Sequence, residues 1–332
     1  MKAVVIEAPF RVSAADIDRQ APTAGEVSIA VDLVGICATD AHILSGHFPT
    51  ATFPLTPGHE VTGTVVDVGP EVTTLFAGTQ VVVDPGLPCA TCILCRDGRP
   101  NLCENRKAIG ITRAGGAAEF LTLPAANCHV VPPGTPPGTA VLAEPLACVI
   151  HAFDLVRQPA GENVLIYGAG TMGLLALQVA RHLGAASVSV IELSAPRTAR
   201  SIDLGAVAAG ASAAAFAPAS GWGLVIDATG APSAIGDGLG RVRRGGTFLQ
   251  IGVAAPDRTV ELAPYELFSR ELTVVGSMTT RNSFPRALSM LGTGAINSSL
   301  ITGEPIALSS YVHAIELAQS GETPKVVVSP RS

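Results

Sequence analysis

The sequence is poor in charge. Asp, Glu, Lys and Arg make up only 14% of 332 residues, and no run of Lys or Arg occurs. The net charge is −6, from 21 Lys and Arg against 27 Asp and Glu. Without a basic patch, nucleic acid is excluded as an expected partner. No uninterrupted apolar stretch reaches the roughly 18 residues of a membrane span, so no membrane helix is expected. The amino terminus, Met1-Lys2-Ala3-Val4-Val5-Ile6-Glu7, is broken by charge too early for a signal peptide. No internal repeat or low-complexity tract occurs beyond the Ala-rich stretch 206–219. What is present is 48% hydrophobic, a well-packed globule rather than a disordered chain, and the length favours two domains.

Four of the seven cysteines fall within fifteen residues, Cys89, Cys92, Cys95 and Cys103, spaced C-x2-C-x2-C-x7-C. Four thiolates this close repel one another unless a cation holds them. Tetrahedral Zn2+ accepts four sulfurs and leaves no open position, so the pattern predicts a closed, structural zinc lobe over about 86–105. Clustered cysteines without a secretion signal point to metal and a reducing cytoplasm rather than to disulfides.

Residues 1 to about 145 read as short strands punctuated by Gly and Pro: Lys2–Ile6, Glu26–Val34, Val61–Val68, Gln80–Val83 and Phe120–Leu123. That pattern predicts an irregular β-barrel. The middle alternates strand and helix. Strands are expected at Val164–Tyr167, Ser187–Ile191, Leu224–Ile226, Thr247–Ile251 and Leu272–Val275, and helices at Thr171–Leu183 and Ala195–Leu204. Alternation of this kind predicts an α/β doubly wound parallel sheet. The last fifty or so residues are mixed, with a final strand Lys325–Val328 that needs a partner; the amino-terminal barrel is the obvious host.

Gly168-Ala169-Gly170-Thr171-Met172-Gly173 is G-x-G-x-x-G. Alone the motif is weak. Here it follows an expected strand, opens a helix, and precedes Glu192, an acidic residue at the end of the next strand and 22 positions after Gly170. The glycines permit a tight turn and close approach of a pyrophosphate, which the free N–H groups of the helix start would bind. Glu192 would accept hydrogen bonds from ribose hydroxyls, and its charge would repel a 2′-phosphate, favouring NAD over NADP. Arg197 and Arg200 nearby weaken that preference.

Cys37, His59, Glu60 and Glu144 form a candidate mixed-ligand zinc set, with room for water or substrate in an open position. Taken singly, each has a plainer explanation: a core thiol, a loop histidine, a carboxylate at a helix start. Cys128 and Cys148 have no such company and read as small buried thiols.

These segments together resemble the zinc-containing medium-chain dehydrogenases/reductases, and among them the polyol (sorbitol-type) dehydrogenases. Gly58-His59-Glu60-Val61-Thr62-Gly63 with Gly69 matches the family's zinc signature, Cys37-Ala38-Thr39-Asp40-Ala41-His42 its first-ligand segment, and Ala143-Glu144-Pro145-Leu146 with His151 the polyol-type second-ligand region. The tetrad matches its structural zinc lobe, and Glu192-Leu193-Ser194 with Arg197 looks like the NAD-preferring members. The resemblance covers essentially the whole chain.

It implies a GroES-like β-barrel catalytic domain over 1–147 and 282–332, and a Rossmann domain over 148–281. It implies two Zn2+ per subunit, one catalytic on Cys37 and His59 with Glu60 and Glu144 as the carboxylates, and one structural on the tetrad. Thr39 would sit beside the substrate hydroxyl and His42 in the distal relay position. The NAD+ residues would be Gly168, Gly170, Thr171, Met172, Gly173, Glu192, Arg197, Ile251 and Gly252. The implied activity is reversible oxidation of a secondary alcohol of a polyol, sugar alcohol or cyclitol to a ketone, by a cytoplasmic homodimer or homotetramer. A threonine-type or simple secondary-alcohol dehydrogenase would share nearly every residue named, and a non-catalytic NAD-binding zinc module is the reading from another class. Where polyol dehydrogenases often carry an Arg-Tyr pair, this chain has Thr279-Thr280, and the loop His47-Phe48-Pro49-Thr50 lacks aromatic residues that some members use.

Overall fold

Strand Glu26–Gly35 is buried along nearly its whole length, with only Glu26 and Asp32 partly accessible, and one sheet is built around it. The computed structural model describes residues 1–216, 218 and 220–331. The chain divides into two units: Met1–Glu144 with Thr280–Thr293 and Ile301–Ser332, and Pro145–Thr279 with Gly294–Leu300.

In the first unit a seven-stranded sheet runs in the order Thr302–Ala307, Lys325–Ser329, Glu26–Gly35, Glu60–Val68, Gln80–Val83, Cys128–Val130, and Phe120–Pro124 also pairs with Glu26–Gly35. Val27, Ile29, Val31, Val65, Val81 and Leu121 pack on one another to form its core. The carboxyl-terminal strand Lys325–Ser329 lies antiparallel to Glu26–Gly35, with Val327 opposite Gly35. On its other side it pairs with Thr302–Ala307, a strand the sequence reading missed. Pro305 disguises that strand, and Pro is tolerated there because the strand is at the sheet edge. A hairpin of Lys2–Ala8 and Arg11–Asp16 forms a separate two-stranded sheet.

The second unit holds six parallel strands in the order Ala208–Gly210, Ser187–Ile191, Asn163–Tyr167, Trp222–Asp227, Val242–Gln250, Thr273–Gly276. Central strands are buried on both faces, Trp222–Asp227 throughout, as a parallel sheet covered by helices requires. The α/β fold class expected from the alternation is present. Register aligns Tyr167 with Ile191 and Asp227, and Asp227 with Gln250, so the carboxyl ends of four strands lie level.

The units differ from the expected boundaries in one notable place. Gly294–Leu300 belongs with the second unit, where the backbone N–H of Asn297 donates to the buried Gln178 Oε1 at 2.7 Å. Cys128 and Cys148 are half-buried rather than fully buried. Among the described residues, no helix is long and apolar enough to cross a membrane.

Candidate functional site

Among the described residues, two groups of His, Cys, Asp or Glu bring their ligand atoms within 4.8 Å of one another: Cys89, Cys92, Cys95 and Cys103, and Cys37, His59 and Glu60.

The second group is assembled by strand register. Gly35 lies opposite Glu60, so Cys37, just past one strand end, comes beside His59 and Glu60 at the start of the next. Gly35 is required there: a Cβ on it would lie 2.1 Å from Glu60 Oε2. Cys37 has extended backbone at the start of helix Ala38–Leu44, and Asp40 caps it, Oδ2 accepting from the Cys37 N–H at 2.8 Å. The Cys37 thiol donates to Thr39 Oγ1 at 3.8 Å. His42, one turn on, is exposed.

Three groups that the sequence reading did not name as site residues surround this cluster. The buried Lys325 ammonium donates to Glu60 Oε1 at 2.8 Å, Oε2 at 2.6 Å, and the Ile36 carbonyl at 3.1 Å. Asp40 is fully buried, its Oδ1 lying 3.9 Å from His59 Nδ1. The Tyr311 hydroxyl donates to that same oxygen at 3.2 Å. Lys325 carried a signal that could have found it, a lone charge heading the buried apolar run Val326–Val328. A buried Lys is almost always paired.

Glu144 stands apart from the clustered three. It lies in the first turn of helix Ala143–Asp154, and its charge acts on both His59 and Lys325. Burial alone would push the His59 imidazole down. The hydrogen bond with Cys37 and the charges of Asp40, Cys37 and Glu144 outweigh it and lift His59 to about 10. Burial likewise opposes the charge on Lys325, and Glu60 and Cys37 hold it above its ordinary value. The pocket therefore favours positive charge. His59 Nδ1 is buried without a hydrogen-bond partner. Sulfur, imidazole nitrogen and carboxylate oxygen within reach of one point suit Zn2+.

The cysteine tetrad is local. Backbone N–H groups already point at its sulfurs, Cys89 N–H to Cys103 Sγ at 3.2 Å and Cys92 N–H to Cys89 Sγ at 3.4 Å. Hydrogen bonds from Thr91 pull the Cys89 thiol down to about 5, while desolvation and then the neighbouring sulfurs push Cys95 up to about 12. Four sulfurs gathered within 4.8 Å of one another fit a four-coordinate zinc.

In the second unit, Gly168 follows strand Asn163–Tyr167 with φ 94°, and Gly170 precedes helix Thr171–His182. A Cβ on Gly173 would sit 1.8 Å from the Gly168 carbonyl, whereas one on Gly170 would meet nothing within 4 Å. The turn is thus closed on the helix side and open where a phosphate would approach. Glu192 is fixed beside it. Its carboxylate accepts from the N–H of Ala169 at 2.9 Å, Leu193 at 2.8 Å and Ser194 at 2.9 Å, with Arg197 3.7 Å away. Ile251 and Gly252 follow strand Val242–Gln250, and both N–H groups donate to the Asp227 carbonyl, at 2.9 and 2.8 Å. A Cβ on Gly252 would strike the Gly230 nitrogen at 2.2 Å. Thr171 and Met172 open the helix.

Residues 23–133 match the alcohol dehydrogenase GroES-like domain family, and residues 171–293 the zinc-binding dehydrogenase family. The chain is 38% identical over 288 residues to a D-altritol 5-dehydrogenase of Agrobacterium fabrum, covering 84% of each chain. It is 33% identical over 341 residues to a D-arabinitol dehydrogenase of Uromyces fabae, covering 99% of this chain and 97% of that one. A Sinorhizobium meliloti 1021 protein solved with NADP bound superimposes with a TM-score of 0.95 at 34% identity, over 99% of each chain. The chain belongs to the zinc-containing medium-chain alcohol dehydrogenase family, with the polyol dehydrogenases among its relatives, and is an oxidoreductase.

Proposed function

We propose that this protein oxidises a secondary hydroxyl of a polyol to a ketone, reversibly, with NAD+ as hydride acceptor and zinc at the Cys37 cluster. The observation that carries the reading is that cluster itself, half-buried Cys37 with buried His59 and Glu60, their ligand atoms within 4.8 Å of one another. A purely structural zinc would need none of the accessible groups beside it. The polyol class is supported by relatives named for altritol and arabinitol.

Zinc, when bound, supplies Lewis acidity toward an alcohol oxygen, and the nicotinamide takes the hydride. The chain's own residues do the rest. Cys37 and His59 hold the metal. Glu60, clamped by Lys325, and Glu144, whose charge reaches His59, supply the nearby carboxylates. The substrate oxygen must lose a proton as its carbon loses hydride. Thr39 lies beside the cluster and His42, three residues on along helix Ala38–Leu44, is exposed, so with the ribose of a bound cofactor between them they would pass that proton to water. The tetrad takes the second zinc and braces its loop.

Glu192 supports NAD+ over NADP+, although the Sinorhizobium meliloti protein binds NADP. Its carboxylate is already oriented by three backbone donors, ready to accept from a ribose diol and to repel a 2′-phosphate. Self-association is part of the proposal. Strand Thr273–Gly276 is an edge of its sheet among the described residues, with Val274 exposed on it and Tyr265 and Phe268 exposed on the preceding helix Pro264–Arg270, and such an edge suits a second copy. Clustered cysteines that hold metal rather than pair with one another suit a reducing cytoplasm.

The test is NAD(P)H formation by zinc-loaded protein across altritol, arabitol, sorbitol, xylitol, erythritol and inositols, with either cofactor. Turnover of one or more polyols with a lower KM for NAD+ is expected. Absence of turnover with every alcohol overturns the catalytic reading, and preference for NADP+ overturns the role given to Glu192.

A further inference from the structure

The carboxyl-terminal helix Tyr311–Ser320 brings a single buried hydroxyl to the back of the Cys37 cluster. The Tyr311 ring packs among Val4, Ile36, Ala117, Ala314 and Val326 and is 1% exposed. A phenol in such a place needs a hydrogen-bond partner. Its partner is Asp40 Oδ1, at 3.2 Å. Burial first, then the adjacent Asp40, push Tyr311 well above its ordinary value, so it keeps its proton and remains a donor.

Asp40 is an unusual acceptor because of what else it faces. Its other oxygen holds the Cys37 N–H at 2.8 Å, and Oδ1 itself stands 3.9 Å from His59 Nδ1. One buried carboxylate thus ties the backbone of one clustered residue and faces the ring of another. Lys325 is committed to Glu60 and the Ile36 carbonyl, and among the described residues the Tyr311 hydroxyl is the side-chain hydrogen-bond donor to Oδ1.

We propose that Tyr311 is a positioning residue of the metal centre: its hydroxyl fixes the Asp40 carboxylate that holds the Cys37 backbone and sets its charge against the His59 ring, and so tunes the strength with which zinc is held. This rests on the reading of Cys37 and His59 as zinc ligands. Groups that orient a ligand from behind are worth about 10–100-fold in metal affinity; a hydroxyl one step further back is expected to contribute about 3–10-fold.

Tyr311→Phe keeps the ring and removes only the hydroxyl. Zinc release to a chromogenic chelator is followed for wild type, Tyr311→Phe, Asp40→Asn and the double variant, with Cys37→Ser marking which release phase belongs to which site. Co2+-substituted samples report the thiolate charge-transfer band. The cluster phase is expected to quicken by about 3–10-fold in Tyr311→Phe, with the band shifted and the tetrad phase unchanged. Adding Tyr311→Phe to Asp40→Asn is expected to change nothing further. Release at the wild-type rate with an unshifted band overturns the proposal, whatever happens to the melting temperature. So does an additive effect in the double variant. Wild-type protein that carries zinc only at the tetrad overturns the ligand reading, and this inference with it.

Discussion

The cysteine tetrad and the Cys37 cluster lie in the same unit and meet the same problem, crowded anionic ligands, by different means. The tetrad gathers its sulfurs from one short loop, and its donors are the loop's own backbone N–H groups. The Cys37 cluster draws on a strand end, a strand start and, from 265 residues away, a lysine. Its charge is balanced partly by protein, Lys325 against Glu60, while the Tyr311 hydroxyl donates a hydrogen bond to Asp40. A loop whose ligands are all sulfur has no use for such partners: a closed zinc satisfies it completely. A site with a position left open for substrate has to be held in shape by the protein, because the metal alone does not fix four ligands around itself.

The sharpest way to break that contrast is Cys37→Ser. If the cluster is the catalytic centre, activity falls by at least about 10³-fold, since the Lewis acid is worth several kcal/mol and each 1.4 kcal/mol is tenfold. Metal analysis is expected to show the tetrad zinc retained and cofactor binding intact. Surviving activity would mean the two centres have been assigned the wrong way round.

Lys325→Met probes the protein-supplied charge. Glu60 would be left buried and unpaired, which costs about 3–5 kcal/mol. Chemical denaturation of the zinc-free protein is expected to register that loss, and Lys325→Arg to restore much of it. Equal stability of Lys325→Met and wild type would show that Glu60 does not depend on its partner.

The same contrast explains what could be read from the sequence. The tetrad was legible because its spacing is its geometry. The Rossmann strands and the glycine loop were legible for a similar reason: Gly168, Gly170, Gly173 and Glu192 act within one strand–turn–helix–strand run. Cys37, His59 and Glu60 could be gathered as a candidate set only by their donor chemistry and then by resemblance, because nothing local says that Gly35 will face Glu60. Asp40 lies inside the first-ligand segment Cys37–His42, but its link to Tyr311 spans 271 residues and leaves no trace in spacing. Strand Thr302–Ala307 was hidden by Pro305, and segment Gly294–Leu300 was misassigned because the bond that claims it reaches back 119 residues to Gln178. Local chemistry leaves a pattern in sequence; chemistry made by chain return does not.

The smallest expected effect on turnover comes from the tetrad itself. Cys95→Ser removes one sulfur from a loop whose ligands lie within fifteen residues, so the damage should stay in that loop. The lobe's Ile93 and Leu102 are already exposed, and its helix Ile93–Arg96 is one turn long, so little besides the metal keeps the segment ordered. Limited proteolysis is therefore expected to cut between Cys89 and Cys103 in the variant and not in wild type, while kcat changes by less than about threefold, under 1 kcal/mol of barrier. Loss of activity on the scale of Cys37→Ser, in protein that still binds cofactor, would show that the tetrad does more than brace its loop, and the division of labour between the two centres would have to be redrawn.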